Sequence, residues 1–379
     1  MDGAVRAVGA RSGAAAARGR CAVIDFSQFA RPELAAMKPY EFSVETGLIR
    51  LDSNESPFDW PPELKEALGW ELQAVPFNRY PGRLRLEVQR LIADMHGVGP
   101  EQVVMGNGLD EVITMLMQAF GSGRRVVVQK PSFSEYKAAA LVQGACLVEV
   151  PLGPGLRVEV ESLAAAASDE PCIVMLCNPH NPTGGRVSSE QVEALVKATR
   201  SLIVVDEAYV DFSGDSALRL LEAYPERLVV LRTLSKAFGM AGVRLGYSIS
   251  GAELAQELEK VRQPFNLDCL SLAAAKVGLG CVWRRDEAVA AILAERARME
   301  EAMDAMPGVK RLPSSANFIL FEVGEGDAAP VWERLKRRGV MVRRFPSEPA
   351  LRRYLRVTVG TPEENDAFLA ALREGGAER

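Results

Sequence analysis

Between about Pro100 and Leu245, short runs of β-branched and aliphatic residues recur at spacings that leave room for a helix between them. The runs are Val126-Val127-Val128, Leu147-Val148-Glu149-Val150, Ile173-Val174-Met175-Leu176, Leu202-Ile203-Val204-Val205 and Leu228-Val229-Val230-Leu231. Strands apolar on both faces and alternating with helical segments imply a largely parallel sheet covered by helices. One intervening helix is marked locally. Ser188-Ser189-Glu190-Gln191 has capping-box spacing, and Val192, Leu195 and Val196 follow at helical periodicity.

Beyond Val261 the rhythm changes. An amphipathic helix from about Arg284 to Met306 stops at Pro307-Gly308. It is followed by a strand Asn317 to Val323, a helix from Ala329 to Gly339, and strands Val340 to Phe345 and Tyr354 to Val359. Thr361-Pro362-Glu363-Glu364 then supplies an N-cap, an N1 proline and a capping-box glutamate. The expected organisation is an α/β chain with a large, mostly parallel domain over 58–283 and a smaller α+β domain over 284–379. Residues 29–57 join the smaller domain, and 1–28 form an extension.

That extension, MDGAVRAVGARSGAAAARGR at its start, lacks the apolar stretch of a secretory signal, and no apolar run approaches the ~20 residues of a membrane span. We expect a cytoplasmic protein. A net charge of −5 argues against nucleic-acid binding. Six scattered cysteines read as buried free thiols, and two histidines, His96 and His180, leave little for metal catalysis.

The chemistry gathers where strands end. Arg232-Thr233-Leu234-Ser235-Lys236 places a lysine among hydroxyls, with Arg244 eight residues on. A lysine amine attacks carbonyls only when unprotonated, and burial beside Arg244 lowers its pKa from ~10.4. The two hydroxyls and the arginine fork suit a phosphate. A reactive lysine beside a phosphate cradle is what pyridoxal 5'-phosphate (PLP) requires. Asp206 follows the strand Leu202 to Val205, where ligands of open α/β sheets bind, and could pair with a pyridine nitrogen. Tyr209 and Asn181, the latter in the rigid turn Asn178-Pro179-His180-Asn181-Pro182-Thr183-Gly184, could donate to a ring oxygen. Gly106-Asn107-Gly108-Leu109-Asp110-Glu111 leads into a helix expected over Val112 to Ala119, so its backbone N–H groups could reach an anion. Phe133 could stack on a flat ring.

In order and spacing, these motifs resemble the fold-type I PLP-dependent aminotransferases, and within them the histidinol-phosphate group. The resemblance spans about Phe29 to Leu372. It extends to Leu51-Asp52-Ser53-Asn54-Glu55-Ser56-Pro57, Asn78-Arg79-Tyr80-Pro81-Gly82, Arg262-Gln263-Pro264-Phe265-Asn266, Ser315-Ala316-Asn317-Phe318 and the strand carrying Arg356. It implies that Lys236 carries PLP covalently and moves the substrate proton, that Asp206 holds the ring nitrogen, and that Asn181 and Tyr209 hold the ring oxygen. Gly108, the backbone of Leu109 and Asp110, Thr233, Ser235 and Arg244 would form the phosphate cup, with Phe133 on the ring face. Leu109 stands where the family has a small residue, and Ser56 where a second Asn is common.

For substrate, the resemblance implies Arg356 at the α-carboxylate, Arg343 near the phosphate, and Tyr40, Asn54 and Tyr80 as further contacts, Tyr80 being lent by the neighbouring subunit of a homodimer. The implied reaction exchanges an amino group between L-histidinol phosphate and 2-oxoglutarate in histidine biosynthesis, with no metal. An aromatic aminotransferase and a threonine-phosphate decarboxylase keep the same cofactor residues and stay open as alternatives. A non-catalytic PLP-fold module lacks the DNA-binding domain it would normally carry here, and no Gly-x-Gly-x-x-Gly supports a nicotinamide enzyme.

Overall fold

The computed structural model describes residues 46–373 except 169 and 325, together with 28, 29, 31–34 and 37. The chain divides into two units, 1–38 and 39–379. Of the first, a single 3-10 turn, Pro32–Leu34, is described.

Among the described residues of the second unit, strand β1 (Ile49–Leu51) comes first, followed by helices α1 (Pro62–Gln73) and α2 (Gly82–His96). Then follow β2 (Val103–Asn107), α3 (Leu109–Leu116), β3 (Arg125–Lys130), α4 (Ser134–Val142), β4 (Cys146–Pro151), α5 (Val160–Ala166), β5 (Ile173–Cys177), α6 (Ser189–Ala198), β6 (Leu202–Asp206), β7 (Leu228–Thr233) and β8 (Leu245–Ser250). Strands β2 to β8 form a seven-stranded sheet in the order β2-β8-β7-β6-β5-β3-β4. Pairing is parallel from β4 to β7, and β8 runs antiparallel to both β7 and β2. The expected parallel core is present, and β2 and β8 add an antiparallel margin to it. Val174, Val204 and Val230 are fully buried, because helices cover both faces of these strands.

Helices α7 (Ala252–Val261), α8 (Cys269–Leu279) and α9 (Val282–Asp304) lead to a second sheet. Its further strands are β9 (Val309–Arg311), β10 (Phe318–Val323), β11 (Val340–Arg344) and β12 (Tyr354–Thr358), with α10 (Ala329–Arg337) between β10 and β11 and α11 (Pro362–Arg373) last. The order is β1-β11-β12-β10-β9, so the early strand β1 completes a late sheet. Leu355, Val357 and Val359 pack into its core with Phe318, Phe321 and Phe368, leaving Arg356 and Thr358 on the other face.

Local signals are realised closely. The Ser188 hydroxyl accepts from Gln191 N while the Gln191 amide accepts from Ser188 N, and Thr361 and Glu364 exchange the same pair of bonds. Helix α3 starts three residues earlier than expected and ends in a π-helical turn, Met117–Gly121. Gly108, with φ of 77°, turns the chain directly into it, so Leu109 and Asp110 occupy the first helical turn. The cysteines depart from the expectation. Cys172 and Cys177 are buried and Cys269 and Cys281 half-buried, but Cys146 is exposed because it opens edge strand β4. Cys21 lies outside the described residues. No helix among the described residues is long and apolar enough to cross a membrane.

Candidate active site

The carboxyl ends of β5, β6 and β7 and the start of α3 open into a cleft of about 550 Å³, to which β11 and β12 contribute Arg343 and Arg356. Parallel strands deliver their ends to one edge of the sheet, which is why Cys177, Asp206 and Thr233 meet here.

Lys236 stands in the loop after β7, which folds back so that Met240 N–H reaches the Leu234 carbonyl at 3.1 Å. Its Nζ donates to the Ser53 carbonyl at 3.0 Å. Burial, then the charge of Arg356, push the amine down to about 8; Glu55 and Asp110 oppose the fall and Arg244 adds to it. At pH 7.5 about a quarter of such an amine is unprotonated, against roughly one in a thousand at the ordinary value of 10.5.

Asp206 is buried, and its two oxygens have different partners. Tyr136 Oη donates to Oδ2 at 2.5 Å and Ala208 N–H donates to Oδ1 at 3.0 Å. Burial nevertheless raises the carboxyl to about 6; the two donors lower it and the charge of Asp110 adds to the rise. On the opposite side of β6 and β7, Glu207 and Arg232 form a buried ion pair at 2.9 Å that fixes the ends of both strands. Burial pushes the Tyr209 hydroxyl up to about 12, so it stays a donor at neutral pH.

Arg356 donates from Nη1 to Asn181 Oδ1 at 2.5 Å and from Nη2 to the Asp52 carbonyl at 2.8 Å, with its guanidinium 5.1 Å from the Phe318 ring centre. With Oδ1 engaged, the amide of Asn181 has Nδ2 left to donate into the cleft. Arg343 pairs in register with Arg356 and is exposed at the cleft mouth.

The phosphate-sized end is built from Thr233, Ser235, Arg244 and the start of α3. Thr233 Oγ1 donates to Ser235 Oγ at 3.0 Å, and Arg244 Nη2 pairs with Asp110 Oδ2 at 3.0 Å. Gly108 serves by its backbone shape: its N–H is taken by the Arg244 carbonyl at 2.8 Å, and a Cβ there would lie 2.3 Å from Arg244 Nη2. A Cβ on Gly246 would lie 2.5 Å from Leu109 N, so two glycines keep this end clear. Phe133 lines the cleft and meets Tyr136 edge-on at 5.5 Å. The whole fits a flat heteroaromatic aldehyde bearing a phosphate: an amine for the aldehyde, an acid for a ring nitrogen, donors for a ring oxygen and a cradle for the anion.

Residues 46–372 match the family model described as aminotransferase class I and II. The chain belongs to this aminotransferase family. It is 39% identical over 339 residues to the histidinol-phosphate aminotransferase of Thermococcus gammatolerans, covering 89% of this chain and 95% of that protein. It is 38% identical over 353 residues to the enzyme of the same name from Chromobacterium violaceum, covering 91% and 97%. Among solved structures, histidinol-phosphate aminotransferase from Sinorhizobium meliloti in complex with pyridoxal-5'-phosphate superposes with a TM-score of 0.78 at 29% identity, over 86% of this chain and 89% of that one. The arrangement of sheets and helices is that of the fold-type I aminotransferases.

Three further residues expected to contact substrate do not line the described cleft of this chain. Asn54, at φ of 54° and buried, stands behind Tyr209 and donates from Nδ2 to its hydroxyl at 3.0 Å, so it orients Tyr209 and does not line the cleft. Tyr80 is 75% exposed and stacks on Phe265 at 4.1 Å, away from this chain's own cleft. Tyr40 lies outside the described residues. Tyr136 was absent from the sequence expectation, although its place three residues after Phe133, on the first turn of α4, puts both rings on one helix face.

Proposed function

We propose that this protein is a PLP-dependent aminotransferase that converts L-histidinol phosphate and 2-oxoglutarate into 3-(imidazol-4-yl)-2-oxopropyl phosphate and L-glutamate, reversibly. The observation that carries this is Lys236, held at a pKa near 8 and facing Asp206, Asn181, Tyr209 and the hydroxyl cradle across one cleft. The names of the relatives favour this substrate over an aromatic amino acid or threonine phosphate.

When bound, PLP supplies the electron sink that loosens bonds at the substrate Cα and carries the amino group between the two substrates. Lys236 would hold the aldehyde through its amine and, when that amine is free, would move the proton at the substrate Cα. The Asp206 carboxylate would hold the ring nitrogen and favour its cationic form. Tyr209 and Asn181 donate to the ring oxygen, and Thr233, Ser235, Arg244 and the N–H groups of Leu109 and Asp110 hold the phosphate. Arg356 takes the α-carboxylate of glutamate, and Arg343 at the mouth takes the second carboxylate or the phosphate of histidinol phosphate. A guanidinium fork binds either group.

We further assign residues 58–283 to a PLP-binding domain and 284–379, with 29–57, to a smaller one. We place the enzyme in the cytoplasm as a homodimer in which Tyr80 reaches the neighbouring site. Exposed Tyr80 and Phe265 on one surface support that assembly. The test is to give the purified, PLP-loaded protein L-histidinol phosphate, L-phenylalanine or threonine phosphate separately and follow the cofactor absorbance. Loss of the PLP band with histidinol phosphate alone, restored by 2-oxoglutarate, is expected. Carbon dioxide released from threonine phosphate would overturn the assignment.

A further inference from the structure

The cradle at the start of α3 needs the main-chain N–H groups of Leu109 and Asp110 presented in a fixed direction. Arg244 holds the turn from within the cleft, and a second set of bonds holds it from outside that cleft. Glu111 is not among the residues that line it; its Oε2 accepts the Asn107 N–H at 2.5 Å and the Asn266 Nδ2 at 2.8 Å. Asn266 Nδ2 also reaches the Met105 carbonyl at 3.0 Å. One carboxylate and one amide thus tie the end of β2, the glycine turn and the first turn of α3 into a single unit.

Asn266 is in turn held by Arg262. Arg262 Nη1 donates to the Gln263 carbonyl at 2.6 Å, to the Pro264 carbonyl at 3.0 Å and to Asn266 Oδ1 at 3.3 Å. Arg262 Nε donates to Glu259 Oε2 at 2.8 Å, and Glu259 Oε1 accepts from Arg85 Nη2 of α2 at 2.6 Å. The loop between α7 and α8 is therefore wound around one guanidinium and presents Asn266 to the cradle on one side. On the other it presents Phe265, stacked on Tyr80.

We propose that Glu111 and Asn266 are positioning residues for the phosphate-binding N–H groups of Leu109 and Asp110, acting from behind the cleft without touching the ligand. This rests on PLP being the cofactor. Glu111 takes up the Asn107 N–H, Gly108 N–H is taken by the Arg244 carbonyl, and Leu109 and Asp110, which open α3, line the cleft. Without the Glu111 acceptor, the Asn107 N–H loses its partner, the Asn266 amide keeps only the Met105 carbonyl, and the glycine turn loses one of the bonds that set its direction.

The experiment compares equilibrium binding of PLP and of pyridoxal, which carries the same aldehyde and ring without the phosphate, to the cofactor-free protein. The variants are Glu111→Ala, Glu111→Gln and Asn266→Ala. Glu111→Ala and Asn266→Ala are expected to bind PLP about 10- to 100-fold more weakly, the range for losing hydrogen bonds to a charged group, with pyridoxal unchanged. Glu111→Gln, which keeps an acceptor, is expected to stay close to wild type. Equal weakening of both ligands, or PLP binding that matches wild type in Glu111→Ala, overturns the proposal. A wild-type protein that binds the two ligands equally overturns instead the PLP assignment on which it rests.

Discussion

Replacing Asp206 by Asn should make the cofactor-free protein more stable while disabling it as an enzyme. The wild-type carboxyl has a folded pKa of about 6 against an ordinary value of 3.8, chiefly through burial. Below about pH 4 it is protonated whether the chain is folded or unfolded, and it costs the fold little. Above pH 6 it is ionised in both states, and the folded state bears the penalty of a buried charge. Two pKa units correspond to about 3 kcal/mol. Asn carries no charge at any pH and fits the same bonds: its Oδ1 can accept from Ala208 N–H while its amide donates to Tyr136. The wild type and Asn variant should therefore unfold alike near pH 4, diverge between pH 4 and 6, and differ by about 3 kcal/mol, with the variant more stable, above pH 6. Urea unfolding of the cofactor-free proteins from pH 4 to 8 reads this directly. With PLP supplied, turnover of the variant should fall about 10²- to 10³-fold, the cost of leaving one member of a buried charge pair alone. A stability difference that is constant across the pH range would refute burial as the cause of the raised pKa.

Three further outcomes are expected. Tyr136→Phe removes the donor to Asp206 Oδ2 and should move the acid-side change in stability of the cofactor-free protein to higher pH, seen in the same urea series. Arg356→Lys cannot serve Asn181 and the Asp52 carbonyl as one planar fork; KM for glutamate should rise about 10-fold or more while PLP remains bound, as steady-state kinetics would show. Gly246→Ala drives a Cβ against the Leu109 main chain and should cost about 1–3 kcal/mol in urea unfolding, with weaker PLP binding by equilibrium titration.

What the sequence made legible was what is decided nearby. The Ser188–Gln191 and Thr361–Glu364 caps close within three residues, and Asp206 stands out because an apolar strand ends at a charge. The parallel strands could be read because burial on both faces leaves them without polar interruption. Strands β2 and β8 escaped notice because Gly106 and Gly246, paired opposite one another, break the apolar pattern where the glycine turn needs space. Tyr136 was missed because its partner Asp206 is 70 residues away, and no spacing rule links a helix residue to a strand end two strands over. The position of Asn54 depends on a left-handed backbone turn, which in a residue other than glycine has no reliable sequence mark. Arg356 was legible as a face assignment, since Leu355 and Val357 had to point into the core, but its bond to Asn181 needs both sheets folded.

That bond has a consequence for motion. Arg356 belongs to the five-stranded sheet and Asn181 to a turn leaving the seven-stranded one, and nearby Ser315 N–H reaches the Gly184 carbonyl of that same turn at 2.7 Å. A swing of one sheet against the other must stretch the guanidinium–amide contact together with the Ser315–Gly184 bond. The amide of Asn181 thereby registers how the two sheets sit, and any group that draws on Arg356 is felt by Asn181 without a further moving part.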